Sequence, residues 1–555
     1  FADNPFLTLS FNKELASIRS KLDQKYFVNL VEKVLLKNTH VCTVVLEPKP
    51  GLEKELAANL EKKMAEIKAK MSPEQIDTIV KQTKDLVAYQ QRKDDPELLK
   101  TVPLLEIADI EKKQEELPLK TETLNGVPLL HMDTFTKGIV YLNLYFDAGA
   151  LDQELIPYAQ LYNELVGMMS TDALNYGDLE NQINLHTGGI STSLYPVALH
   201  RDDGLMKSYM QMSGKAMPEK LSKLADLMKQ ELLSSKWDDE ARLKEMVLRT
   251  KAQFEQRLTA NGLGIARNRL ASYFSNRGAY QDLISGFGYY QFLTSLCKEA
   301  DMKALAAKLK AVQEKIVNRN GLKVGITCQQ EQMKAVKEAL PALLAAFPQS
   351  ELKAVEYKLA KEPLNEGFQD ASKVQYVLKG GDYRKLGAQY SGKMEVLSQL
   401  LSRVYLQNTV RVQGGAYGGF TMLDDSGMMC FASYRDPNLK ETVQNYLGAE
   451  GFLSTLTLEE RELRRLIIGT ISDWDQPLDP NQKGQVAVNR SLRGLSQEEL
   501  QKNRDEILST SVEDLRAFSS LVKEIMGQGY LCVVGNEKKI EEQKELFKKI
   551  LSLRQ

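Results

Sequence analysis

Two stretches of this 555-residue chain run through the same succession of elements. Gly188-Gly-Ile-Ser-Thr-Ser193 sits in the first where Gly414-Gly-Ala-Tyr417 sits in the second. Leu233-Ser-Ser-Lys-Trp-Asp-Asp-Glu240 resembles Leu453-Ser-Thr-Leu-Thr-Leu-Glu-Glu460, and each leads into a charged helical pattern. The first series reads as a strand over 138–147, helices near 154–170, 217–234 and 238–258, and a strand at Tyr209–Ser213. The second reads as a strand from about Val374, a helix at 393–408, a strand at 428–434, helices at 438–449 and 457–472, a strand at Tyr530–Val534 and a closing helix. A unit of about 200 residues that mixes helices with strands, used twice, predicts two related α+β domains.

The preceding residues follow a different pattern. Residues 1–50 read as a helix and then a strand, Val41-Cys-Thr-Val-Val-Leu46, closed by Glu-Pro-Lys-Pro-Gly51. One helix and one strand cannot bury a core, so this piece is expected to be the tail of a preceding α+β domain. Leu52, Leu56, Leu60, Met64, Ile67 and Met71 then repeat at helical spacing. Ser72-Pro-Glu-Gln75 carries the signature of a helix start, and Ile76, Ile79, Val80 and Val87 share one face of a second helix. Residues 51–117 therefore read as a helical hairpin with an irregular connector. It is an interdomain linker or, in the alternative, a partner-binding coiled coil. The two α+β domains follow at 118–350 and 351–555.

Composition removes several classes of function. Hydrophobic residues make up 43%, enough for several cores. Lysine and arginine (73) balance aspartate and glutamate (74), which gives no footprint for nucleic acid. No apolar run spans a membrane and no signal peptide is visible, so no membrane partner is expected. Five widely spaced cysteines (Cys42, Cys297, Cys328, Cys430, Cys532) argue against a disulfide framework. They favour a reducing compartment, the cytoplasm or an organelle matrix. The chain begins Phe-Ala-Asp-Asn without methionine, so it is read as processed or, preferably, as part of something longer.

Most familiar chemistries lack their residues. The four histidines, His40, His131, His186 and His200, show no i, i+4 pair and no His-Glu-x-x-His or His-x-x-Glu-His string. His40 and Cys42 share a strand face, but zinc needs at least three protein groups. There is no G-x-S-x-G elbow, and most cysteines lie in apolar strand contexts. The glycines of 414–419 follow no nucleotide-binding order. Asp473-Trp-Asp-Gln-Pro-Leu-Asp-Pro480 reads as a turn and lacks calcium-loop spacing.

What remains is Arg411-Val-Gln-Gly-Gly-Ala-Tyr-Gly-Gly-Phe420. Arg411 offers a fork of donors and Tyr417 a hydroxyl, on a backbone that Gly414 and Gly415 allow to turn sharply. Such a pair can hold a peptide carbonyl or carboxylate. Taken blind, the loop itself is a hairpin turn.

These residues resemble a family. Arg411 to Gly419, Ser433-Tyr-Arg-Asp-Pro-Asn438, Gly138-Ile-Val-Tyr141, Leu185-His-Thr-Gly-Gly-Ile-Ser191 and the helical pair over 52–91 are similar to the C-terminal portion of the presequence-protease branch of the pitrilysin/insulinase-type zinc metallopeptidases. The resemblance implies four related α+β domains in two halves that close around a chamber for unfolded peptides. It implies that an N-terminal half, in the same chain or as a separate subunit, carries the His-x-x-Glu-His zinc motif. It also implies that Arg411 and Tyr417, with Gly414 and Gly415 between them, reach the bound peptide. At the position equivalent to the zinc motif this sequence reads Leu161-Tyr-Asn-Glu-Leu165. The general-base position keeps Glu164, but leucines cannot bind zinc. The domain at 118–350 is thus expected to be a non-catalytic copy, and the chain to bind no zinc and to be inactive alone. The alternative is a non-catalytic scaffold or peptide-binding subunit of the same fold.

Overall fold

The computed structural model describes residues 4–92, 95, 97–98, 101–199, 206–299, 301–359 and 365–554. Two compact units result, Phe1–Arg92 and Lys93–Gln555.

The first unit is helical: Asn12–Arg19, Tyr26–Val31, Leu52–Ala69 and Pro73–Gln91. The last begins as its sequence requires. Ser72 accepts from the amide of Gln75, and the Gln75 side chain accepts from the amide of Ser72. The expected strand at Val41–Leu46 does not form. Val41, Val44, Val45 and Leu46 are 71–91% exposed and no strand pairs with them among the described residues. An extended segment without a neighbouring edge has nowhere to put its backbone donors and acceptors except water.

The second unit holds two six-stranded sheets. The first contains β1 (Leu119–Leu124), β2 (Val127–Asp133), β3 (Val140–Asp147), β4 (Ile190–Ala198), β5 (Met206–Ala216) and β6 (Leu322–Cys328), ordered β1-β2-β6-β3-β5-β4. The second contains β7 (Asn365–Asp370), β8 (Tyr376–Asp382), β9 (Gly418–Leu423), β10 (Met428–Tyr434), β11 (Tyr530–Asn536) and β12 (Lys549–Ser552), ordered β12-β7-β11-β8-β10-β9. Strands β2 to β6 and β7 to β11 trace one path: the first strand of each series lies parallel to the fifth, and every other neighbour is antiparallel. The sequence repeat is therefore a structural repeat. Only the outermost strand differs, since β1 precedes its sheet and pairs antiparallel whereas β12 follows its sheet and pairs parallel.

Strands β3, β6, β8 and β11 at the sheet centres are buried at nearly every position, which an antiparallel sheet with one wet face would not need. The reason is an exchange of helices between the repeats. In the second sheet Val377, Met429, Phe431, Leu531 and Val533 pack on helices of their own repeat, while Leu378, Cys430, Ala432, Cys532 and Val534 join the core of the first repeat. Helix Gly262–Ser272 covers that second face, and Gly262 comes so close that a Cβ would stand 2.6 Å from the Tyr376 ring. In return, Val488 and Leu492 of helix Pro480–Arg493 cover Leu130, Tyr145, Val197 and Tyr209 on the outer face of the first sheet. A buried ion pair fixes the exchange. Arg269 donates to Glu366 on β7 through Nε (2.5 Å) and a terminal nitrogen (2.9 Å) and to Asp282 at 3.0 Å, and the Tyr273 hydroxyl donates to Glu366 at 2.7 Å.

Candidate functional site

The cleft is built by one helix and one edge strand. Helix Gly392–Leu400 starts at Ser391, whose side chain accepts from the amide of Lys393, and continues as a wider π-helical segment, Leu401–Gln413. Leu401, Leu406 and Val410 face the core. Every fourth residue on the other side, Glu395, Gln399, Arg403, Gln407 and Arg411, lines a cleft of about 620 Å³. That spacing keeps them on one helical face. The opposite wall is β9, the edge of the second sheet. Helix and strand lie close because Gly419 has no side chain; a Cβ there would meet Val410 Cβ at 2.9 Å and the Leu406 carbonyl at 3.1 Å.

The glycine-rich segment joins the two. Gly415 has φ +78°, where a side chain would be strained. The amide of Gly415 donates to the carbonyl of Arg411 (2.9 Å), and that of Ala416 to the carbonyl of Val410 (3.1 Å). The Asn438 side chain donates to the carbonyl of Gly414 at 2.6 Å. The turn that presents Asn438 is itself anchored. Buried Asp436 accepts from the Asn438 amide (2.9 Å) and the Thr442 hydroxyl (2.7 Å). Burial is the larger influence on the Asp436 carboxyl and raises it above the usual range despite those donors.

Both predicted side chains reach the cleft. Tyr417 is 67% exposed, and its amide donates to the carbonyl of Tyr434 at 3.1 Å. Its ring meets that of Tyr434 edge-on at 5.9 Å. The Arg411 guanidinium carbon stands 5.6 Å from the centroid of the Tyr417 ring, a cation–π arrangement that orients both. Arg411 lies in the last turn of its helix, where a cation is favoured. Among the described residues no carboxylate lies within ion-pair distance of it. Gly414 and Gly415 shape this turn, and the cleft is lined by Gly418 and Gly419 instead.

The other end of the cleft is acidic but occupied. Glu395 accepts from the Tyr390 hydroxyl at 2.6 Å, and burial raises its carboxyl above the usual range, with Asp425, Asp424 and Asp473 adding to the effect. Asp473 accepts from the Gln399 side chain. Trp474 donates its indole N–H to Gln114 of the connector at 2.6 Å. Gln399, Arg403 and Gln407 are cleft residues that the sequence reading misses; a long polar or charged residue at every fourth position from Glu395 to Arg411 is the available signal.

The remaining candidates have structural partners. Leu161 and Leu165 are fully buried in the core of the first repeat. Glu164 accepts from Tyr289 (2.8 Å), Gln160 (3.0 Å) and Arg257 (3.4 Å). His131 lies 3.0 Å from the Cys328 carbonyl, and His186 lies 3.0 Å from the Lys220 ammonium. His40 is exposed, and its expected strand partnership with Cys42 is absent with that strand. His200 lies outside the described residues. Among those described, no three histidine, cysteine, aspartate or glutamate side chains could hold a metal ion, so zinc does not fit the described residues. The five cysteines are unpaired, and burial raises the Cys328 and Cys430 thiols to about 12. No helix among the described residues is long and apolar enough to cross a membrane.

The doubled fold is that of known M16 proteins. A peptidase M16 inactive domain from Pseudomonas fluorescens superposes with a TM-score of 0.56 at 14% identity, covering 76% of this chain and 98% of that one. A protease from Helicobacter pylori gives a TM-score of 0.53 at 15% identity, covering 76% and 99%. The family described as peptidase M16 (subfamily C) associated matches residues 46–296, and the PreP C-terminal domain matches residues 365–536. Presequence protease 1, chloroplastic/mitochondrial, of Arabidopsis thaliana is 31% identical over 551 residues, 97% of this chain and 50% of that protein. Protein HypA of Clostridium perfringens is 34% identical over 550 residues, 99% of this chain and 56% of that protein. The chain belongs to the presequence-protease-like M16 peptidase family and corresponds to the C-terminal half of such a protein. It spans about half the length of these curated relatives.

Proposed function

We propose that this chain forms the substrate-gripping wall of a metalloendopeptidase that degrades short unstructured peptides in a closed chamber. Arg411 and Tyr417 donate hydrogen bonds to the peptide backbone beside the scissile bond, and the Gly414–Gly415 turn holds them in place. Zinc belongs to an N-terminal half, in the same chain or in a separate subunit, and the chain alone does not cleave peptides. Residues 1–50 are the tail of a preceding domain and 51–117 the linker between halves. The unpaired cysteines fit a reducing compartment, the cytoplasm or an organelle matrix. The observation that carries the reading is the placement of Arg411 and Tyr417 at one end of a polar cleft, with no carboxylate within ion-pair distance of Arg411 among the described residues. A scaffold would have no use for such a pair. The test is Tyr417→Phe in the enzyme assembled with its N-terminal half. Turnover is expected to fall at least tenfold with peptide affinity less affected, since a donor aimed at developing charge is worth roughly 3 kcal/mol. Unchanged turnover would remove Tyr417 from the reaction.

A further inference from the structure

The cleft holds a second guanidinium. Arg403 lies eight residues before Arg411 on the same helical face and lines the same cavity. It is exposed, and no carboxylate lies within ion-pair distance of it among the described residues. Its orientation is nonetheless set. Asp473 accepts from the Gln399 side-chain amide, and the oxygen of that amide accepts from Arg403 Nε at 3.4 Å. This chain of contacts occupies Nε and leaves the two terminal nitrogens of the guanidinium for a ligand. It also engages Asp473, and the Glu395 carboxyl accepts from the Tyr390 hydroxyl. Arg403 and Arg411 are the two guanidinium groups lining the cleft, and neither has an ion-pair partner among the described residues.

We propose that Arg403 is a second peptide anchor that receives a carboxylate of the bound peptide, and so sets a preference for substrates carrying one at a fixed distance from the backbone held by Arg411 and Tyr417. A guanidinium with two free terminal nitrogens matches a carboxylate in a bidentate pair. Eight helical residues span about 12 Å at most, and an extended peptide covers that in roughly three to four residues. The carboxylate is the C-terminal group of a short peptide or an aspartate or glutamate side chain. This assignment rests on the backbone-holding role of Arg411 and Tyr417.

Fluorescence anisotropy on the full chain separates the possibilities, using an unstructured decapeptide, labelled with a fluorophore that has no carboxylate, in three forms. One has a free C-terminal carboxylate and no acidic side chain; one is amidated with a single glutamate; one is amidated without any acid. R403Q is expected to weaken the first or the second at least fivefold, which names the carboxylate read, and to leave the acid-free amide within twofold of wild type. R403K, which keeps the charge but loses the fork, should fall between. R411Q should weaken all three forms alike. Equal binding of every form by R403Q and wild type, or an equal loss for every form, overturns the assignment to Arg403 and leaves the Arg411–Tyr417 reading standing. No effect of R411Q on any form overturns the backbone-holding role of Arg411, and the two-anchor arrangement with it.

Discussion

The side-chain amide of Asn438 donates to the carbonyl oxygen of Gly414 at 2.6 Å. One motif of the second repeat thereby fixes the other: the turn after β10 holds the turn that carries Tyr417. Gly414 cannot be held from its own side chain, and a Cβ there would clash with the Val410 carbonyl at 2.5 Å. We expect Asn438→Ala to leave the overall fold intact, at a cost of about 1–3 kcal/mol for a carbonyl that loses its partner. It should also loosen the Arg411–Tyr417 pair and weaken peptide binding. Denaturant unfolding and peptide anisotropy check the two effects; undiminished peptide binding would show that the turn holds itself.

Arg269 should be the most sensitive polar residue between the repeats. Its side chain is 7% exposed and Glu366 is fully buried. Arg269→Ala leaves Glu366 and Asp282 as buried charges with no cation and should destabilise by about 3–5 kcal/mol. The double variant R269M/E366L should cost less than R269A alone. A double variant no more stable than the single one would mean that packing, rather than unpaired charge, dominates there.

Glu231 gives the fold a pH dependence of its own. It is 3% exposed, and burial raises its carboxyl to about 7 from an ordinary 4.5. The folded chain therefore binds a proton that the unfolded chain has released between those values. This contribution to stability is full below about pH 4.5, falls as pH rises, and is gone above about pH 7. A shift of this size corresponds to up to about 3 kcal/mol. We expect Glu231→Gln to remove that slope, matching the parent near pH 5 and exceeding it at pH 8. Parallel stability curves for the two proteins would exclude a raised carboxyl.

Metal addition tests whether the chain alone is a peptidase. With Leu161 and Leu165 buried in an apolar core, zinc has no ligand set there. A zinc-supplemented assay of the chain alone should give no chelator-sensitive cleavage. Robust cleavage would reveal a ligand set outside the described residues or supplied by a second copy.

Much of the second repeat is legible in the sequence. Strand β10 occupies the expected 428–434, and β11 begins at Tyr530 as expected. The helix expected at 393–408 exists but runs on through Gln413, which brings Arg411 onto it. Strands β7 and β12 carry no signal that a linear reading picks up, and β9 hides within a glycine-rich stretch. Two leading glycines and an edge position give β9 no alternation to read, and its strand character comes from pairing with β10.

Local chemistry in the chain dictated the strand and helix patterns within each repeat, the capping box at Ser72 and the candidate pair at Arg411 and Tyr417. Each depends on residues near one another in sequence, so a linear reading reaches them. Folding alone decided that the two repeats trade helices across their sheets, that Arg269 meets Glu366 and that Asn438 holds Gly414. Those outcomes depend on which surfaces come together from separate stretches of the chain. No local pattern encodes a partner that is distant in the chain.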